Sequence, residues 1–261
     1  MTGSQFYKPE EAIYHNDGRE EALLDFIQSH PSYPDMKGNP AQILAAIDQY
    51  GREKAFLMNV GEAKGQIVSE VIAHAKPHTI VELGGYVGYS AILFASTLRK
   101  AGGQKYISLE ASATFARVSS ALIELAGLAD MVEVIVGPCS ESLRALGKVS
   151  AGKPLDMLFF DHAKVEYLND LRLCEELGLV GRGTTVVADN VSRNQVYLDY
   201  VRAPTSTKQE EAVKLRGLVD GDDASSSVGN PALKYRTSVV HSIEPTGEPD
   251  AVEISHCLGS E

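Results

Sequence analysis

One loop and two strand ends carry the residues in this sequence whose types and spacing could do chemistry. The loop runs from Glu82 through Gly84, Gly85 and Tyr86 to Gly88, with Ser90 just beyond. Glycines in a turn between a strand and a helix let the backbone approach a ligand closely. The next strand-like run ends in an acid, Glu110, and a carboxylate there can accept both hydroxyls of a ribose. A dinucleotide-binding fold shares these coarse features, but its fingerprint is G-x-G-x-x-G. Here the pattern is E-x-G-x-x-x-G, with the acid ahead of the first glycine. A carboxylate in that place repels a pyrophosphate and suits a cofactor with an amino group and a sulfonium. The loop therefore points to S-adenosylmethionine rather than NAD. A glycine-rich turn without a ligand is the plainer explanation, and the pairing of loop with strand-end acid weighs against it.

The second set is Asp161-His162-Ala163-Lys164 and Asp189-Asn190, each following an apolar run. In a parallel sheet both ends emerge on the same rim as Gly84 and Glu110. Asp161, Asp189 and Asn190 are hard oxygen donors, a set that suits Mg²⁺, which keeps positions for water and substrate. Zinc fits poorly, because Cys139, Cys174 and Cys257 show no paired spacing. Lys164 follows Asp161 closely enough to overhang the same cation, where it can serve as a general base. Either strand end alone reads more simply as a helix cap or a solvated lysine; their combination favours a site.

These residues need a frame. Residues 20–28, 40–57 and 63–76 read as amphipathic helices, the second started by Pro40 with Asn39 as its cap. Strand-like runs at 79–84, 105–110, 131–136, 155–160 and 184–188 alternate with helical runs at 89–100, 112–126 and 165–178. This alternation predicts an α/β fold with a mostly parallel sheet covered on both faces. Two last strand-like runs, 235–243 and 251–257, flank a turn at 246–249 and predict an antiparallel hairpin on one edge. Residues 1–18 are polar and predict a flexible N-terminal arm. Residues 19–261 read as a single domain, with 203–231 a polar loop insertion.

A net charge of −11 repels phosphate backbones and argues against a nucleic-acid substrate. No apolar stretch approaches the roughly 18 residues needed to cross a bilayer, and the N-terminus has no apolar signal core. The expected setting is cytoplasmic, with the three cysteines as buried thiols.

Several runs, taken in order, resemble the catechol O-methyltransferase family. Residues 58–65, MNVGEAKG, resemble the family's M-N-V-G-D-A-K-G. ELGGYVGYSA from Glu82, the Leu109-Glu110 pair, AGLAD from Ala126, MLFFDHAK from Met157 and VVADNV from Val186 follow. The resemblance covers residues 40–202. It implies a Rossmann-like S-adenosylmethionine-dependent methyltransferase fold with extra N-terminal helices. It implies that Val60 and Gly61 line the methionine end of the cofactor and that Glu82 holds its amino group. Gly84, Tyr86 and Ser90 would surround the carboxylate and sulfonium, Glu110 the ribose, and Ala111, Cys139 and Ser140 the adenine, with Asp161 and His162 alongside. Asp161, Asp189 and Asn190 would hold Mg²⁺. Lys164 would be the general base, and Lys164 and Asn190 would meet the acceptor, a catechol or other vicinal diol.

The chain departs from the family on the acceptor side. The mammalian family's tryptophan after the D-H pair is Ala163 here, a second is Phe56, and the chain has no tryptophan. The family's glutamate on the penultimate strand, which binds the acceptor's second hydroxyl, has no counterpart in residues 230–243. That strand offers Lys234, Arg236 and His241 instead, which predicts a loose site favouring acceptors that carry a carboxylate; tight binding of a cationic catecholamine would instead mean that a carboxylate outside this run fills the role, Glu244 being the nearest. The rival reading is a cofactor-binding homologue with lost or altered acceptor activity. The oligomeric state is not legible.

Overall fold

The structure, a computed structural model, describes residues 5–218 and 227–260. Four helices open the chain: α1 (Arg19–Gln28), α2 (Tyr33–Met36), α3 (Pro40–Glu53) and α4 (Gly61–Ala75). The body alternates through β1 (Thr79–Leu83), α5 (Tyr89–Ala101), β2 (Lys105–Glu110), α6 (Ala113–Leu125), β3 (Val132–Val136), α7 (Cys139–Ser150), β4 (Met157–Phe160), α8 (Tyr167–Glu176) and β5 (Thr185–Ala188). Helices α9 (Gln195–Arg202) and α10 (Thr205–Leu218) lead to β6 (Leu233–Ile243) and β7 (Pro249–Ser260).

The strands form one sheet in the order β3-β2-β1-β4-β5-β7-β6. β1 to β5 pair in parallel, and β7 runs antiparallel to both β5 and β6. The central strands β1, β4 and β5 are short and mostly apolar because both faces are covered. Alternation sorts them: Ile80, Phe159 and Val187 join one cluster with α3 to α6, while Val81, Leu158 and Val186 join the other with α8 and α9. Removing a ring such as Phe159, which is fully buried, would cost roughly 3–5 kcal/mol. The strand order reverses between β1 and β4, so their carboxyl ends open a crevice at the switch point.

The structure corrects three expectations. Helix α3 stops at Glu53 instead of 57, and the following segment runs without helix, carrying Met58, Asn59 and Val60 to the crevice. The 203–231 stretch is not a plain loop, since α10 occupies Thr205–Leu218. That helix is polar on most positions, which hid it; buried Ala212 and buried Lys208, whose Nζ donates to the Leu233 carbonyl at 3.1 Å, hold it down. The rest of the expected loop lies largely outside the described residues. Residues 5–18 are not a loose arm. Tyr7 is buried, its hydroxyl 2.5 Å from Asp48, and Tyr7 N and Lys8 N donate to the Pro245 and Gly51 carbonyls. Arg19 anchors the same segment through Glu11, Asp17 and the Ile13 carbonyl. Helices α2, α7 and α9 stand where the sequence reading placed no element.

Candidate functional site

A cavity of about 1370 Å³ opens at the switch point. The β1–α5 loop forms its floor. Gly84 has φ +93, and Tyr86, with φ +45, holds a left-handed conformation uncommon outside glycine. Two bonds hold Tyr86 in place: its backbone N–H donates to Glu110 at 2.7 Å, and its hydroxyl donates to buried Glu20 at 2.9 Å. Glu110 accepts a second backbone bond from Ser112, also at 2.7 Å. Burial raises the Glu110 pKa, and these backbone donors pull against it. Ala111, Cys139 and Ser140 continue the wall, the last two from the first turn of α7. Burial pushes the Cys139 thiol up to about 12, so it is neutral.

His162 stacks on Tyr167 at 4.9 Å between centroids, and its Nε2 lies 3.0 Å from Asp170. Its Nδ1 is buried without a partner, although the residue lines the cavity. The Tyr167 hydroxyl lies 2.9 Å from the Phe160 carbonyl oxygen and 3.2 Å from that of Asp189, tying the ends of β4 and β5 together. This places Asp161, Asp189 and Asn190 on one side of the cavity. Burial, then the charge of Asp161, raises Asp189 to about 7. Burial raises Asp161 to about 6 against the pull of Lys164 and Lys64. Lys164 lines the cavity with its Nζ 3.6 Å from Asp161.

The donor set fits a hard divalent cation. Asp189 Oδ1 is buried without a partner, and Asn190 turns its Nδ2 to Glu244 and to Asp250 (2.9 Å), which leaves its Oδ1 as the free end. Among the described residues no three His, Cys, Asp or Glu side chains group as a metal cluster; this set is two carboxylates and an amide. Asn190 adopts φ +53, a left-handed conformation that asparagine tolerates well.

Two expected residues stand elsewhere. Gly61 faces a smaller neighbouring cavity of about 240 Å³. Glu82 is fully buried beneath the loop, one oxygen taken by Ser108 at 2.6 Å and the other without a partner. Burial raises Glu82 to about 7. Val60, Gly84, Tyr86 and Ser90 do line the large cavity, as do Glu110, Ala111, Cys139, Ser140, Asp161, His162, Lys164, Asp189 and Asn190.

A family model described as O-methyltransferase matches residues 40–218. Catechol O-methyltransferase of the mouse, Mus musculus, is 36% identical over 208 residues, 78% of this chain and 76% of the mouse protein. The chain belongs to the catechol O-methyltransferase family. This methyltransferase is also 37% identical to the catechol O-methyltransferase of Bos taurus over 197 residues, covering 75% of the chain and 70% of the bovine protein. An O-methyltransferase from Bacillus cereus, solved in complex with S-adenosylhomocysteine, shares the fold at a TM-score of 0.55 and 21% identity. That likeness covers 90% of this chain and 96% of the other.

A carboxylate, Glu244, stands one residue beyond the 230–243 run that lacks one. Glu244 follows β6, lines the cavity and accepts from Asn190 Nδ2. Lys234, Arg236 and His241 do not line the cavity. Sequence reasoning also missed Lys64 and Asp250. Lys64 is fully buried, with its Nζ 2.8 Å from Asp189, 2.8 Å from Asp250 and 3.2 Å from Glu244. Its spacing was a signal, because Lys64 continues the apolar stripe of Ile67, Val68, Val71 and Ile72 on α4. Tyr14 and His15, from the supposed loose arm, complete the cavity wall beside Phe56 and Phe115. Among the described residues no helix is long and apolar enough to cross a membrane.

Proposed function

We propose that this methyltransferase transfers the methyl group of S-adenosylmethionine, with Mg²⁺, to one hydroxyl of a catechol or other vicinal diol. The observation that supports this best is the meeting of two sets in one cavity: Gly84, Tyr86, Ser90 and Glu110 on one side, Asp161, Asp189, Asn190, Lys164 and Glu244 on the other. S-adenosylmethionine supplies the electrophilic methyl when bound. Asp161, Asp189 and Asn190 would hold Mg²⁺, whose positive charge would ease ionisation of an acceptor hydroxyl.

The chain's own residues do the rest. Glu110 accepts from the ribose hydroxyls while its backbone bonds to Tyr86 and Ser112 hold the loop in shape. Lys164 Nζ takes the proton of the reacting hydroxyl, with Asp161 fixing the ammonium that forms. Glu244 accepts from the second hydroxyl and so sets which oxygen reacts. Phe56, Met58 and the Tyr14–His15 segment keep water from the acceptor.

The test is turnover of a panel of catechols, resorcinols and monophenols with labelled S-adenosylmethionine, with Mg²⁺ and with excess chelator. Methylation confined to vicinal diols and abolished by chelator supports the reading. Full activity in chelator, or equal rates on monophenols, overturns it. Binding without turnover on the whole panel would instead favour a homologue with altered acceptor activity.

A further inference from the structure

We propose that Lys64 is a positioning residue that decides which carboxylate oxygens meet the cation; this inference rests on the Mg²⁺ reading above. Four carboxylates stand around the acceptor end of the cavity: Asp161, Asp189, Glu244 and Asp250. Asp189, Glu244 and Asp250 meet at one point, and without a partner there the last two would be free to turn toward a cation at Asp189. Lys64 removes that choice. Its Nζ engages Asp189 Oδ2, Asp250 Oδ2 and Glu244 Oε2, while Asp189 Oδ1 keeps no partner. One oxygen of Asp189 is thus occupied by the ammonium and the other is left for the cation.

The same ammonium keeps Glu244 and Asp250 out of the cation's ligand set. Asn190 adds to this, since its Nδ2 donates to both of them. Glu244 then remains an acceptor for the substrate's second hydroxyl. Lys64 is suited to hold this arrangement because it is fully buried on α4, a helix packed against α5 at the side of the sheet. Its four-carbon stem lies in the apolar stripe, so the charge has one place to be. Cation placement, choice of reacting hydroxyl and the anchoring of the β6–β7 turn therefore share a single ammonium.

The experiment uses Mn²⁺ as a spectroscopically visible probe on the full chain at alkaline pH. Wild-type, Lys64→Met and the double variant Lys64→Met/Asp250→Asn are compared by electron paramagnetic resonance titration, with Ca²⁺ and Mg²⁺ as competitors. S-adenosylmethionine binding by calorimetry checks the fold. Lys64→Met should bind Mn²⁺ about ten-fold tighter, because a repelling charge beside the cation is gone. Ca²⁺ should gain more than Mg²⁺, because freed oxygens suit the ion that takes more ligands. The double variant removes one charge of each sign, so its Mn²⁺ affinity should stay near wild type while the Ca²⁺ preference persists. It carries the test if Lys64→Met does not fold. Unchanged Ca²⁺/Mg²⁺ preference in a folded variant overturns the inference alone. Absence of Mn²⁺ binding by the wild-type chain overturns the inference and the metal reading together.

Discussion

Gly84 and Asp161 meet backbone to backbone: a Cβ built on Gly84 would lie 2.6 Å from the Asp161 carbonyl oxygen and 2.8 Å from its carbon. The contact joins the cofactor loop to the strand end that carries a proposed metal ligand. Neither partner can retreat, because the Asp161 N–H donates to the Leu83 carbonyl at 2.9 Å across β1 and β4. Gly84→Ala should therefore cost about 2–4 kcal/mol, the sum of left-handed strain and overpacking. Gly102 is the control. It has φ +91 but nothing within 4 Å of a built Cβ, so Gly102→Ala should cost only about 1 kcal/mol. Urea unfolding compares the two, and equal losses would mean that the contact is not tight.

Glu110→Ala should weaken S-adenosylmethionine binding by about 1.5–3 kcal/mol, the scale of charge-assisted bonds lost from a buried site. Both Glu110 oxygens accept backbone bonds at 2.7 Å, so Glu110→Gln should also lose affinity, though less. Calorimetry with the cofactor alone reads both. Unchanged affinity in the alanine variant would place the ribose elsewhere.

Much of this was legible from the residues themselves. The parallel strands announced their places because short apolar runs ending in Gly84, Glu110, Asp161 and Asp189 leave little choice of element. What was not legible depended on distance along the chain. Glu244 lies one residue past the end of β6, and its nearness to Asn190 exists only once β7 has paired with β5. Lys64 looked like a motif letter rather than a participant, since its three carboxylate partners are all far along the chain. Helix α10 escaped because its burial rests on Lys208 and Ala212, which no apolar period reports. The arm escaped because its anchors, such as buried Tyr7 on Asp48, are scattered along a polar run with no period.

The site should make the metal-free protein less stable as pH rises. Burial raises Asp161 to about 6 and Asp189, Glu244 and Glu82 to about 7, above ordinary carboxylate values. A carboxyl with a raised pKa holds its proton more tightly folded than unfolded. The stability it lends is full below about pH 4 and is lost as pH climbs through about 6 to 7. The melting temperature without metal should fall from about pH 5 to about pH 8. A cation needs the ionised forms, so added Mg²⁺ should raise Tm more at the upper end and release protons as it binds. Glu82 lies beneath the loop, so its share of the loss should remain. Thermal melts with and without Mg²⁺ across this range provide the check. A metal effect independent of pH would show that these carboxylates do not hold it.

Glu244 reverses what the composition of β6 implied. Lys234, Arg236 and His241 do not line the cavity, so no cation from that strand is there to receive an acceptor's carboxylate. The cavity wall instead carries the acids Glu10, Glu244, Glu248 and Asp250 along with Lys164 and Arg193. A negatively charged acceptor would meet these acids, and its kcat/KM should fall below that of a neutral catechol. Glu244→Gln keeps the side chain's size and a carbonyl that can accept, but removes the charge. It should raise KM for catechol about ten-fold or more, the scale of one charged hydrogen bond. Cofactor affinity should hold, since Glu244 stands beside Asn190 and Lys64, outside the proposed cofactor set. Both hydroxyls should then be methylated more evenly, because the second one no longer has a preferred partner. The gap between anionic and neutral acceptors should also narrow as a repelling charge disappears. Kinetics across neutral and anionic catechols, with product isomers resolved by chromatography, read all three effects. If Glu244→Gln leaves KM and the isomer ratio unchanged, the second hydroxyl is held by another group, and Asp250 is the next carboxylate to test.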